Sequence, residues 1–252
     1  MPKHPDPHAA LAMNMIDRVC VGDILTRTCD LYPDDIAMVD GDRSMTYREF
    51  ETQTNQAASA LLALGLQPGD AVGVLARNCL EQMVTYMACA RANLVFAPVN
   101  LGLKPHEIAY CLKDCGAKVL IIEDALAEAG KGLPEHLPAL QHVYWTGTEA
   151  IEGGGKSWQP FTRLLASGSD SPLEVLVGDR DPVQLLYTSG TTANPKGVVT
   201  SHLAVTMAAM ANVIANHLPP QASMLCNLPL FHCTAVNCLA LPTFMIGGKL
   251  VL

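Results

Sequence analysis

Three short runs that are almost wholly apolar, separated by stretches with helical periodicity, constrain the fold of this chain more than any other feature. Ala71-Val72-Gly73-Val74-Leu75-Ala76, Val95-Phe96-Ala97-Pro98-Val99 and Lys118-Val119-Leu120-Ile121-Ile122 are too short for typical helices and too evenly apolar for strands with one wet face. Strands of this kind belong to parallel sheets covered on both sides. Between them, residues 81–92 read as a helix rich in small side chains, and residues 105–115 carry Ile108, Leu112 and Cys115 at helical spacing. Helices are also expected over 21–31 and 47–64. Thr46 opens the second of these as N-cap, with Glu49 three residues on as its capping-box partner. The expected fold is α/β, a doubly wound, largely parallel sheet flanked by helices.

Residues 147–182 break this rhythm. Gly153-Gly154-Gly155 and Ser167-Gly168-Ser169 mark a Gly-rich surface excursion with a single helix near 161–166. The pattern resumes with a strand over 183–187 and a helix over 201–218 that Ser201 is placed to cap. Between them lies Thr188-Ser189-Gly190-Thr191-Thr192-Ala193-Asn194-Pro195-Lys196-Gly197. Hydroxyls and backbone amides donate hydrogen bonds, and Lys196 brings a positive charge, which is what a loop needs to hold phosphates. Open α/β sheets place their ligands at the carboxyl ends of their strands, where this loop falls.

The spacing excludes a Walker-type phosphate loop. Counting from Gly190, Pro195 falls where the second glycine belongs and Gly197 where the Ser or Thr that binds magnesium belongs. Proline has no amide hydrogen for a phosphate, and glycine has no hydroxyl for a metal. The loop instead resembles the Y-T-S-G-T-T-G-x-P-K-G signature of adenylate-forming enzymes, the acyl-CoA synthetases, luciferases and adenylation domains, with Ala193 in place of a glycine. Thr46-Tyr47-Arg48-Glu49-Phe50 is similar to the family's T-Y-x-E-L. The stretch from Asn93 to Asn100 is similar to its G-x-V-x-x-P-x-N, with Asn93 for glycine, and Pro229-Leu230-Phe231-His232 to the P-x-F-H of acyl- and aryl-CoA ligases. The matches occur in family order and span about residues 20–252.

That resemblance implies an acid–thiol ligase. A carboxylate attacks the α-phosphate of Mg-ATP, pyrophosphate leaves, and a thiol, often coenzyme A, takes the acyl group from the resulting acyl-adenylate. Thr188, Ser189, Gly190, Thr191, Thr192, Lys196 and Gly197 are the implied nucleotide-binding residues. Thr188 is also the implied Mg2+ ligand, and Lys196 neutralises phosphate charge. Phe231 and His232 are implied to face the substrate, His232 beside its carboxylate; a buried core position for His232 is the plain alternative. The implied substrate is a small-molecule carboxylic acid, with fatty acids among the class. An amino-acid-adenylating domain is a second reading, although its usual aspartate partner for the amino group is replaced here by an aromatic and a histidine. A non-catalytic nucleotide-binding or interaction module is a third.

Composition fits a soluble enzyme. The chain has 252 residues, 50% of them hydrophobic, and a formal charge of −8 from 16 basic and 24 acidic residues. That balance argues against nucleic-acid binding, which needs clustered Lys and Arg. Nine cysteines without C-x-x-C or Cys/His zinc spacing read as reduced core residues of a cytoplasmic protein. Residues 1–19 read as a mobile tail without an apolar signal segment, followed by the main domain over 20–252. The apolar stretches 203–213 and 235–246 are too short to span a membrane and read as buried helices. Gly247-Gly248-Lys249-Leu250-Val251-Leu252 reads as a turn entering an apolar strand, so the chain is expected to be the N-terminal portion of a longer enzyme, inactive alone. An unpaired edge at that strand would favour self-association.

Overall fold

The computed structural model describes residues 7–147, 151–153, 156–188 and 194–252. In chain order they form helices α1 (Pro7–Asp17) and α2 (Gly22–Leu31), strands β1 (Ile36–Asp40) and β2 (Arg43–Thr46), helix α3 (Tyr47–Ala63), strand β3 (Ala71–Leu75), helix α4 (Leu80–Arg91), strand β4 (Val95–Pro98), helix α5 (Pro105–Asp114) and strand β5 (Val119–Ile122). Short helices α6 (Ala127–Gly130) and α7 (Leu133–His136) lead to strands β6 (His142–Trp145), β7 (Ile151–Gly153) and β8 (Lys156–Pro160), and to helix α8 (Phe161–Ser167). Strands β9 (Pro182–Thr188) and β10 (Lys196–Ser201), helix α9 (His202–Ala215), strand β11 (Ser223–Leu225), helices α10 (Cys233–Ala235) and α11 (Leu241–Met245), and strand β12 (Lys249–Val251) complete the order.

The apolar runs become the centre of an eight-stranded sheet of order β10-β9-β4-β3-β5-β6-β8-β7. Strands β9, β4, β3, β5, β6 and β8 run parallel. The two outermost strands, β10 and β7, are antiparallel to their neighbours. Every residue of β3, β4 and β5 is buried, as strands covered on both faces must be. Helix α5 closes one face through Cys111 and Leu112, which join Leu75, Leu120 and Val143 in one apolar cluster. Helices α3 and α4 close the other. Apart from Glu81, α4 is buried all round, because a second sheet lies beyond it.

Of that second sheet, of order β11-β12-β1-β2, the sequence pattern showed only β12, the apolar strand after Gly248. Strand β12 pairs in parallel with both β1 and β11, so the expected unpaired edge at residues 250–252 is not there. The open edge on that side is β11, where Leu225 is 66% exposed. On the larger sheet it is β10, with Val198 and Val199 exposed. The ground for self-association therefore moves to these two strands. We expect sedimentation of residues 1–252 to show a concentration-dependent dimer that Leu225→Lys together with Val199→Lys weakens at least tenfold. A strictly monomeric wild type would overturn that expectation.

Local signals hold where they were read. The Thr46 hydroxyl accepts from Glu49 N at 3.2 Å, and Glu49 Oε2 accepts from Thr46 N at 2.8 Å, completing the capping box. Ser201 Oγ accepts from Ala204 N at 3.3 Å at the start of α9. Asn93 stands where the family pattern has glycine, at φ 55, a left-handed conformation that asparagine tolerates. Its side chain donates to Leu176 O at 3.1 Å and Asp181 Oδ2 at 2.8 Å.

Other readings change. The stretch expected to be a tail, 1–19, contains α1, whose Asn14 exchanges two hydrogen bonds with the backbone of Val177. The Gly-rich excursion 147–182 carries the β7–β8 hairpin that extends the large sheet, as well as the expected helix. Residues 203–213 were expected to be buried, yet α9 turns Met207 and Met210 to solvent, as it does Ile214 just beyond that stretch. No helix among the described residues is long and apolar enough to cross a membrane.

Candidate active site

The described residues that flank the phosphate loop lie on two paired antiparallel strands, where the sequence suggested a strand followed by a helix. Strand β9 ends at Thr188, and β10, antiparallel to it, starts at Lys196 directly opposite Thr188. The β-branched run Val198-Val199-Thr200 favours this extra strand, and α9 begins only at His202. Thr188 Oγ1 donates a long bond, 3.5 Å, to Lys196 O. Both residues are exposed, and Lys196 has no ion-pair partner among the described residues. Ser189, Gly190, Thr191, Thr192 and Ala193 lie outside the described residues.

Two contacts fix this pair of strands, one at Gly197, a residue the sequence had singled out, and one between Tyr187 and Asp114, which it had not. A β-carbon on Gly197 would stand 3.1 Å from Leu185 Cδ2 and 3.3 Å from Tyr187 Cε1, so β10 is packed on the β9 side chains as tightly as glycine permits. The Tyr187 hydroxyl donates to Asp114 Oδ2 at 2.7 Å, tying the end of β9 to the last turn of α5. Burial, and then the Asp114 carboxylate, push the Tyr187 phenol far above its ordinary value and keep it a neutral donor.

Phe231 and His232 belong to the other sheet. They follow β11 and lead into α10, with ring centroids 5.0 Å apart and planes tilted by 45°. His232 is exposed and Phe231 half-buried, so the plain alternative of a core histidine does not hold. His232 N donates to Pro229 O at 2.9 Å, and His232 O accepts from Ala235 N at 3.1 Å at the start of α10. Phe231 borders an open crevice of about 340 Å³, lined also by Arg77, Asn78, Leu101, Asn227 and Leu228. The crevice sits where the carboxyl end of β3 and the turn after β4 face the segment that leaves β11. No hydrogen bond or ion pair among the described residues joins the Thr188–Lys196 pair to Phe231–His232; α9 connects the two regions by packing on both β10 and α11.

Arg77 and Asn78 shape the crevice from the β3 side. The Arg77 backbone N donates to Glu123 Oε2 at 2.7 Å, while its guanidinium pairs with Glu123 Oε1. Burial opposes ionisation of Glu123, yet these bonds outweigh it and hold the carboxyl below the usual carboxylate range. Strand ends β3 and β5 are thereby locked together at the rim of the site. The nine cysteines are all unpaired, most of them buried, and no cluster able to hold a metal ion occurs among the described residues.

A fold of two stacked sheets with a hydroxyl-and-lysine strand pair at the carboxyl end of a parallel strand matches a known class. The model of the AMP-binding enzyme family covers residues 25–252, and the chain belongs to that family. It is similar to a feruloyl-CoA synthase from an Amycolatopsis species, 31% identical over 226 residues, which is 90% of this chain and 42% of that enzyme. Indoleacetate–CoA ligase of Aromatoleum aromaticum is 29% identical over 229 residues, 90% of this chain and 44% of that one. Among solved structures, the anthranilate CoA ligase AuaEII in complex with anthranoyl-AMP superposes with a TM-score of 0.87 at 26% identity. The match covers 92% of this chain and 44% of that one. The chain thus spans less than half the length of these relatives.

Proposed function

We propose that this chain forms the N-terminal, nucleotide-gripping and acid-facing part of an ATP-dependent carboxylic acid–CoA ligase. The observation that carries the proposal is the β9–β10 pair, which sets exposed Thr188 opposite exposed Lys196, a lysine without an ion-pair partner among the described residues, at the carboxyl end of a parallel strand. That donor set fits a nucleotide polyphosphate and its magnesium ion. Lys196 places charge against phosphate oxygens, and Thr188 offers a hydroxyl oxygen to Mg2+, with Ser189, Gly190, Thr191, Thr192 and Gly197 completing the loop. ATP supplies an α-phosphorus that a carboxylate attacks as pyrophosphate departs. On the acid side, Phe231 gives an apolar wall and His232 a polar edge, a pairing suited to an organic acid. The relatives' names include aromatic acids and a long-chain fatty acid, so ferulate, indoleacetate, anthranilate and palmitate are the panel to test. Coenzyme A as acceptor and a cytoplasmic location belong to the same proposal. The complete reaction is assigned to the longer protein that the relatives represent.

Titration calorimetry of residues 1–252 with Mg-ATP tests the loop assignment. Loss of one charged hydrogen-bonding contact costs ~1.5 to 3 kcal/mol, about ten- to hundredfold in affinity. Lys196→Ala should weaken binding by that factor, and adding Thr188→Ala should weaken it further and blunt the dependence on Mg2+. Unchanged binding in the double variant would refute the assignment.

A further inference from the structure

We infer that Asn78 is the positioning residue for the Phe231–His232 wall, acting as a one-residue substitute for a missing strand. The inference rests on the acid-facing role proposed for that wall. Strand β11 leaves its sheet after Leu225, and Cys226 N makes the last ladder bond, to Val251 O at 2.8 Å. From there to Phe231 the backbone has no strand beside it, and Pro229 has no amide hydrogen to contribute. Peptide groups left in that condition beside a packed core need a partner. The side chain of Asn78 supplies it from the other sheet.

Its amide engages the segment on both sides. Asn78 Oδ1 accepts from Leu230 N at 2.8 Å, and Asn78 Nδ2 donates to Leu228 O at 2.9 Å and to Cys226 O at 3.3 Å. A donor and an acceptor on one planar group are what a neighbouring peptide would present, and among side chains of this length only asparagine carries both. Leu230 is fully buried, so the clamp and the core together fix the residue directly before Phe231. Asn78 is itself held between Arg77, whose backbone N is bonded to Glu123, and the start of α4. The two sheets are therefore joined, at the mouth of the crevice, through one side chain that touches neither nucleotide residue.

The test uses Asn78→Ala and Asn78→Asp in residues 1–252. Aspartate keeps the shape but turns an oxygen toward the Leu228 and Cys226 carbonyls, so it stands in should the alanine variant not fold. Amide hydrogen exchange should be at least tenfold faster at Leu230 in each variant, with Val72, Val74 and Val119 within twofold of wild type. The chain holds 5 phenylalanines, and all but Phe231 are buried. With 4-fluorophenylalanine incorporated, only the Phe231 resonance should move. Benzoate, titrated in the presence of Mg-ATP, should shift that resonance in the wild type and bind at least fivefold more weakly in the variants. Unchanged Leu230 exchange, a uniform rise in exchange across the chain, or movement of the buried resonances as well would overturn the inference. A wild-type Phe231 signal indifferent to benzoate, beside selective loss of Leu230 protection, would instead refute the acid-facing role and leave the clamp standing.

Discussion

Arg91→Met is expected to lower the unfolding free energy of the chain by about 3 to 5 kcal/mol, the cost of leaving a buried ion pair half-made. Arg91 lies on the last turn of α4 with 4% of its surface exposed. Its guanidinium reaches Glu51 Oε1 at 3.0 Å and Oε2 at 2.8 Å on α3, together with Asn55 Oδ1 on the same helix. On α2 it bonds Gly22 O at 3.1 Å and Thr26 Oγ1 at 2.8 Å. One side chain thus joins three helices. Those helices approach closely at this point, since a β-carbon on Gly22 would stand 3.2 Å from the Arg91 backbone. Methionine keeps most of the volume, so the loss reports the stranded Glu51 carboxylate, Asn55 amide and Gly22 carbonyl and not a cavity. Denaturant unfolding of the wild type, Arg91→Met and the double variant Arg91→Met/Glu51→Gln is the measurement. The double variant should recover part of the loss, because the charge left without its partner is gone. A single-variant effect below about 1 kcal/mol, typical of a solvated pair, would show that water shields Glu51.

The same hub shows where sequence reasoning reaches its limit. Helices α2, α3, α4 and α5 were legible to within a few residues because their caps and apolar periods are local signals. Strands β3, β4 and β5 were legible because burial on both faces leaves an unbroken apolar run. Of the second sheet only β12 was. That sheet joins β1 near the start of the chain to β12 at residues 249–251, and β2, Arg-Ser-Met-Thr, has no apolar run to betray it. Strand β10 carries a β-branched signal, Val198-Val199-Thr200, but the run is short and abuts the N-cap of α9, so it merges with the start of that helix in the sequence pattern. The phosphate loop was readable as chemistry because its residues are adjacent. Asn78 and Leu228, 150 positions apart, or Tyr187 and Asp114, 73 apart, meet only once the sheets stack, and single asparagine and tyrosine residues announce no such partner. Residues 203–213 illustrate the opposite error: apolar composition implied burial, while the fold leaves Met207 and Met210 uncovered.

Acid should unfold this chain in part through His202, over a window set by two pKa values. His202 opens α9 and is fully buried, with Nδ1 accepting from Val21 N at 3.1 Å, so the neutral ring carries its proton on Nε2. Burial lowers its pKa from 6.5 to about 4, against the opposing pull of the Asp181 and Asp23 carboxylates and in concert with Arg18. Protonation would remove the acceptor that Val21 N uses and place an unpaired cation in the core. The folded state therefore resists the proton more than the unfolded chain does. The stabilisation is complete above pH 6.5 and is lost as the pH falls toward about 4. At roughly 1.4 kcal/mol per pH unit, the whole window amounts to about 3 to 4 kcal/mol. Other carboxylates titrate in the same range, so the quantity to measure is the difference between the wild type and His202→Asn. Asparagine can present an acceptor oxygen to Val21 N and does not titrate. Unfolding midpoints should fall more steeply with acid in the wild type than in the variant between pH 6.5 and 4, and run parallel above pH 7. Parallel curves throughout would mean that His202 takes up its proton without leaving its place, and that the junction of α9 with the segment before α2 is not the acid-sensitive seam.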